Sequence, residues 1–320
     1  MDWVYVGLGL VILLLAGDVL VKGAVNLSLR LGVPALIVSL TIVAFGTSAP
    51  ELLIAINAVH ENAPGIALGN VIGSNTANIL LVLGIPAMLA VLHSSECNTR
   101  KTYIYMILSS VLFIVVAMMG PITWMHGIVL LSALFFVLGD AFCEARAHRN
   151  GNSACDPCAI GDVEDIEGVD PDMPWWRIGI FMVLGLIGLP LGADLLVEGA
   201  VSIARHFEID ETVIGLTLVA VGTSLPELAT TVMAALRRQA DVALGNVIGS
   251  NMFNLLAIIG ITSFVGVIPV DEQFLRFDLW VMLGASLLLA PFVFLGWNIT
   301  KQWGIVLTSL YAVYILIVLL

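Results

Sequence analysis

Apolar residues fill this chain in long runs, parted by short clusters of polar residues, glycine and proline. About 20 consecutive apolar residues is the length a helix needs to cross the roughly 30 Å hydrocarbon core of a bilayer. Ten such spans are expected, near 4–21, 34–59, 66–92, 102–119, 123–142, 176–203, 211–236, 242–268, 277–296 and 302–320. The polar residues inside the runs recur at a fixed offset. Gly46-Thr47-Ser48-Ala49-Pro50-Glu51 returns 176 residues later as Gly222-Thr223-Ser224-Leu225-Pro226-Glu227. Gly69-Asn70-Val71-Ile72-Gly73-Ser74-Asn75 returns as Gly245-Asn246-Val247-Ile248-Gly249-Ser250-Asn251, and Asp18 maps onto Asp194 without a gap. Residues 18–78 and 194–254 share 27 identities in 61 pairs, so the chain is a duplication.

Five spans per copy is an odd number, which turns the second copy over in the membrane. The expected fold is therefore an all-α integral membrane protein of ten transmembrane helices in two inverted-topology five-helix repeats. The expected division is 1–142 for the first repeat, 143–175 for an acidic linker and 176–320 for the second repeat.

Composition sharpens this picture. With 60% hydrophobic residues, 11% charged and a mean hydropathy of +1.06, the chain is far from an ordinary soluble domain, where about 25% of residues are charged. Its partners are the lipid bilayer and whatever it carries; no nucleic-acid partner is expected, and it should work as a monomer. Lys and Arg set the orientation. Arg30, Arg100, Lys101, Arg146, Arg149, Arg177, Arg237, Arg238 and Lys301 fall on one side and only Arg205 and Arg276 on the side of the termini, with Lys22 inside the first span. A plasma (inner) membrane protein with both termini outside and the central loop cytoplasmic is the expectation. The first span lacks a preceding basic residue and a small-residue cleavage site, so it does not read as a removable signal.

The net charge of −12 is concentrated, with eight of the 24 acids between 143 and 175. Gly151, Pro157, Pro171 and Pro174 break helices there, and the acid spacing does not suit an EF-hand, so this stretch reads as a solvated linker. Cys155 and Cys158 form a CxxC beside Cys143 and His148, but the spacing matches no common zinc framework, and free thiols are expected.

The twin motifs carry the chemistry. A proline in a helix lacks the N–H that would meet the carbonyl four residues back, here Gly46 or Gly222. Thr47 and Glu51 lie four apart on one face, as do Thr223 and Glu227. Each segment thus offers carbonyls, hydroxyls and a carboxylate to one point, a ligand set for hard cations such as Na+ and Ca2+. Asn70, Ser74 and Asn78 give the third span a polar face, and Asn246, Ser250 and Asn254 repeat it in the eighth. Gly69, Gly73, Gly245 and Gly249 permit close helix approach. Two glutamates with no nearby base make a pocket of charge −2, which cations or protons must occupy.

On these motifs the chain resembles the sodium/calcium exchangers of the cation/Ca2+ antiporter superfamily, prokaryotic in type, whose two α-repeats carry GTSxPE-type and GNxxGSN-type sequences. The resemblance covers both repeats. It implies a secondary active antiporter exchanging Na+ for Ca2+ by alternating access, with four ion sites near the midplane and no cofactor. It implies Glu51 and Glu227 as central Ca2+ ligands with the carbonyls of Thr47 and Thr223. The carbonyls of Ala44 and Ala220, the hydroxyls of Ser48 and Ser224, and Ser74 with Ser250 would form flanking Na+ sites, and Asn78 and Asn254 would face the central pocket. Some relatives carry Asp where this chain has Asn254, so the resemblance implies K+-independent, electrogenic exchange.

Other features have plainer readings. Asp18 and Asp194 are expected to hydrogen-bond neighbouring helix ends rather than line an ion path. Lys22 and Glu198 sit near expected span ends and snorkel. His60, His93, His126, His148 and His206 fall at loops or span ends, which speaks against a proton relay. H+/Ca2+ or K+-dependent Na+/Ca2+ antiport on the same fold are the alternatives. An intramembrane hydrolase using Ser48 or Ser224 is more remote, since no histidine stands in either motif to serve as base.

Overall fold

The computed structural model describes residues 2–92, 96–149, 170, 172–208 and 220–319, which are almost wholly helical. Helix α1 is Asp2–Leu31. The second span is a pair bent by 41°, α2 (Ala35–Thr47) and α3 (Ala49–His60). Next come α4 (Pro64–Leu89), α5 (Glu96–Met118) and α6 (Trp124–Arg149). The second half has α7 (Trp175–His206), α8 (Ala220–Thr223), α9 (Leu225–Leu236), α10 (Ala240–Thr262), α11 (Phe274–Phe294) and α12 (Lys301–Leu319). The order α1 to α6 reappears as α7 to α12.

Among the described residues, eight helices and the bent pair are long and apolar enough to cross a membrane. The seventh expected span, 211–236, is represented by α8 and α9, its residues 211–219 lying outside the described set. Most of the expected linker, with Cys155, Cys158 and the acids from 156 to 167, lies outside it too, as does His93.

Several boundaries differ from expectation. Helix α1 runs ten residues beyond position 21, to Leu31. Lys22 pairs with Asp18 at 2.9 Å, and Asn26 and Ser28 bond back to the carbonyls of Lys22 (2.8 Å) and Val25 (2.7 Å). Polar side chains satisfied on their own helix do not end it, so Lys22 lies inside the helix. Helix α6 continues to Arg149 because no breaker stands between 143 and 149. Helix α10 stops at Thr262, and the chain turns so that Ile268 pairs antiparallel with Ile122. Leu92 pairs likewise with Ile299, so each repeat sends one such bridge to the other.

Helices α1 and α7 lie along one another, and small residues let their backbones touch. A side chain at Gly9 would meet the Gly192 carbonyl at 2.7 Å, and one at Gly192 the amide of Leu13 at 2.9 Å. Association in lipid relies on such packing, since hydrophobicity gives helices no preference for each other over acyl chains. Helix α10 is at the centre, buried without interruption from 242 to 260, while α6 and α12 turn most of their side chains outward.

Candidate functional site

Each helix break is made by its own sequence. After Thr47 the backbone leaves helical geometry at Ser48 (φ −85°, ψ 3°), and after Thr223 at Ser224 (φ −92°, ψ 5°). Pro50 and Pro226 were expected within interrupted helices. They instead stand in the first turns of α3 and α9, where a missing N–H has no partner to lose. The outcome is similar: α2 and α8 end in carbonyls where α3 and α9 begin. Glu51 and Glu227 occupy those first turns, where the positive end of the helix dipole favours a carboxylate.

Both glutamates are 0% exposed, and they are near enough for their charges to interact. Ser48 reaches across the repeats to donate to Glu227 Oε1 at 3.3 Å. Glu227 Oε2 and both oxygens of Glu51 are buried without a hydrogen-bond partner. So are the hydroxyls of Ser74, Ser224 and Ser250, Oδ1 of Asn78 and both amide atoms of Asn254. Among the described residues no Lys or Arg is buried. Leaving even one buried polar group unpaired costs about 1–3 kcal/mol, and a charge more, so such a concentration of orphaned oxygens is a site shaped for a ligand. Its donors are carboxylate, hydroxyl and amide oxygens, which suit hard cations.

Glu51, Glu227, Ser48, Ser74, Ser224, Ser250, Asn78 and Asn254 are all buried, and the elements that carry them, α2–α3, α8–α9, α4 and α10, pack against one another. Thr47 is buried, its hydroxyl within hydrogen-bond reach of Asn246 Oδ1 (3.4 Å) and of the Ala44 carbonyl (3.3 Å). That carbonyl also accepts the Ser48 N–H at 3.0 Å. Thr223 is half-buried, and Ala220 opens α8.

The halves are not equivalent. Asn246 is fully buried and donates to the Glu227 carbonyl (3.4 Å) and Thr231 (3.2 Å), while its counterpart Asn70 is half-buried. A Cβ at Gly249 would strike the Leu40 carbonyl at 2.5 Å and Ala44 Cβ at 2.6 Å.

Sequence reasoning gave no role to several residues. Asn75 and Asn251 bond to each other's backbone, and Thr231 donates to the Glu227 carbonyl at 2.7 Å. Asp278, inside an expected apolar span, is buried and accepts from Tyr314 at 3.0 Å. The first two were visible as repeated motif residues; Asp278 has only Thr102 as its repeat partner and gave no signal. Asp18 pairs with Lys22 and with Arg237, which caps the C-terminal end of α9. Its counterpart Asp194 is exposed. Neither Ser48 nor Ser224 is hydrogen-bonded to a histidine among the described residues; His60 and His206 end α3 and α7, and His126 lies in the first turn of α6.

Comparison with known proteins agrees with this geometry. The profile of the family described as sodium/calcium exchanger protein matches residues 1–139 and 178–320. The sodium/calcium exchanger MaX1 of Methanosarcina acetivorans is 34% identical, over 97% of this chain and 96% of its own. A putative antiporter, CaxA of Alkalimonas amylolytica, is 35% identical over 89% of this chain and 88% of its own. Among solved structures, the sodium-calcium exchanger NCX_Mj soaked with zero Na+ and Ca2+ superimposes with a TM-score of 0.80 at 32% identity, covering 99% of this chain and 98% of that one.

Proposed function

The chain belongs to the sodium/calcium exchanger family, and from that premise we propose that it is an antiporter exchanging Na+ for Ca2+ by alternating access. The observation that carries the reading is the pair of fully buried glutamates, Glu51 and Glu227, close enough for their charges to interact and with no basic partner among the described residues. A divalent ion between them neutralises the site; Na+ competes for the same oxygens, so binding of one ion displaces the other. The ligand set is Glu51, Glu227, Ser48, Ser224, Ser74, Ser250, Asn78 and Asn254, with backbone oxygens of Ala44, Thr47, Ala220 and Thr223. We further place the protein in the plasma membrane as a monomer, with two five-helix repeats at 1–142 and 176–320, termini outside and the 143–175 linker in the cytoplasm. The nine-to-two distribution of Lys and Arg supports that orientation.

The test uses purified protein in liposomes loaded with Na+. Dilution into Na+-free buffer with radiolabelled Ca2+ should drive Ca2+ uptake, which a pH gradient alone should not. Uptake driven only by the pH gradient would favour proton-coupled antiport instead.

Transport should slow at acid pH although the cycle carries no proton. Protonation removes negative charge from Glu51 or Glu227, so flux falls as pH falls and recovers as pH rises. Because proton and Ca2+ contend for one carboxylate pair, raising Ca2+ should restore the flux. Acid inhibition that saturating Ca2+ leaves untouched would contradict this.

Asn254 keeps the cluster at two negative charges rather than three. One Ca2+ then balances the site, while three Na+ leave it at +1, so a three-for-one cycle moves one charge. The flux should respond to membrane voltage, each elementary charge being worth about 2.3 kcal/mol per 100 mV. Wild type should run equally well without K+ on either side, and Asn254→Asp should bind cations more tightly and become more sensitive to protons. Wild-type protein that is inactive until K+ is added would overturn the charge argument.

A further inference from the structure

Helices α4 and α10 are joined by a reciprocal pair of bonds that the ligand set above does not include. Asn75 Nδ2 donates to the Asn251 carbonyl at 3.3 Å, and Asn251 Nδ2 donates to the Asn75 carbonyl at 3.4 Å. Just beyond each asparagine the helix widens into a π turn, Asn78–Val82 in α4 and Phe253–Ile258 in α10. There the four-residue bond ladder yields to a five-residue one, an arrangement frequent at functional sites. Each asparagine thus secures the other helix one turn before a pocket asparagine.

The side-chain oxygens differ between the halves. Asn78 Nδ2 donates to Asn251 Oδ1 at 3.1 Å, and Asn78 Oδ1 is buried without a partner. The symmetric bond, Asn254 Nδ2 to Asn75 Oδ1, is not made; Nδ2 and Oδ1 of Asn254 and Oδ1 of Asn75 are all buried and unpartnered. An amide has two unlike ends, an oxygen that accepts and an NH2 that only donates. Only the oxygen end can ligate a cation. Holding the NH2 of Asn78 fixes its oxygen as the end left for the pocket.

We propose that Asn251 is a positioning residue that turns the oxygen of Asn78 toward the transported cation, and that Asn75 stands ready to do the same for Asn254. This rests on the cation-exchange reading of the site. The two repeats are inverted copies, and alternating access moves one against the other. Exchanging their conformations exchanges the made bond for the unmade one. The oxygen of Asn78 is then presented in one facing of the protein and that of Asn254 in the other.

The experiment is a double-mutant cycle read by calorimetric Ca2+ binding to detergent-purified protein, with the melting temperature recorded for each variant. Asn251→Ala is expected to weaken Ca2+ binding about tenfold, the usual loss for a bond that supports a charged ligand. In an Asn78→Ala background the same change should cost little more, because the group it orients is gone. A purely structural role would instead lower affinity by the same factor in both backgrounds, and that result overturns the proposal. If Asn251→Ala does not fold, Asn251→Ser, which is too short to reach Asn78, takes its place in the cycle with the same expected outcome. Wild-type protein that binds Ca2+ yet shows no Na+-driven uptake would sink the exchange reading alone, and the cycle would still decide the role of Asn251. Wild-type protein that binds no Ca2+ would overturn both.

Discussion

Glu51→Gln and Glu227→Gln are each expected to abolish Ca2+ exchange while leaving the protein folded. Both carboxylates are fully buried, neither has a basic partner among the described residues, and Ser48 donates a hydrogen bond to Glu227. Glutamine keeps the shape and one oxygen but removes a full charge from a site that must replace the hydration of a divalent ion. Removing one member of a buried charge pair costs about 3–5 kcal/mol, so Ca2+ affinity should fall by a factor on the order of 100 or more. Na+ binding should suffer less, because a monovalent ion can be balanced by the remaining carboxylate. Calorimetric titration of both ions, with flux in liposomes, measures the difference. Wild-type exchange in either variant would remove Glu51 and Glu227 from the ligand set.

A second large effect is expected from the least conspicuous residue of the motif. Gly249→Ala should lower the melting temperature and impair exchange. At Gly249 the added carbon would lie 2.5 Å from the Leu40 carbonyl and 2.6 Å from Ala44 Cβ, and backbone there cannot yield without moving α2 off α10. Overpacking of this kind typically costs about 1–3 kcal/mol. Displacing α2 also shifts Ala44 and Thr47, so the ion site should loosen with the fold. Calorimetric melting and flux in liposomes measure the two losses, and a Gly249→Ala protein that melts and transports as the wild type does would overturn this account of the α2–α10 contact.

How much of this was legible beforehand depends on whether the signal was local. The spans follow from apolar run length, and the duplication from two motifs at one offset, so the architecture could be read directly. The pocket residues could be read because Glu51 and Glu227 are costly at membrane depth. Partnership between distant residues could not. Arg237 is 219 positions from Asp18, and only the fold shows that it joins Lys22 in holding that carboxylate. The orientation of a single amide, as in Asn78, is set by an atom on another helix and leaves no trace in spacing. The extension of α1 to Leu31 was missed because Lys22, Asn26 and Ser28 suggest an end to a membrane span, while the structure satisfies them within the helix.

The burial of α10 bears on how the protein is made. From 242 to 260 no residue of this helix is left facing outward, and along that stretch it carries Asn246, Ser250, Asn251 and Asn254. Lipid offers these groups no partner, so the helix is at home only once its neighbours have arrived. The helices it packs against, α2 to α6 and α9, all precede it in the chain. During synthesis α10 must therefore enter a bundle that is already in place rather than wait in lipid. The polar residues that serve the ions are therefore also the ones that make this the segment least able to wait alone in the bilayer.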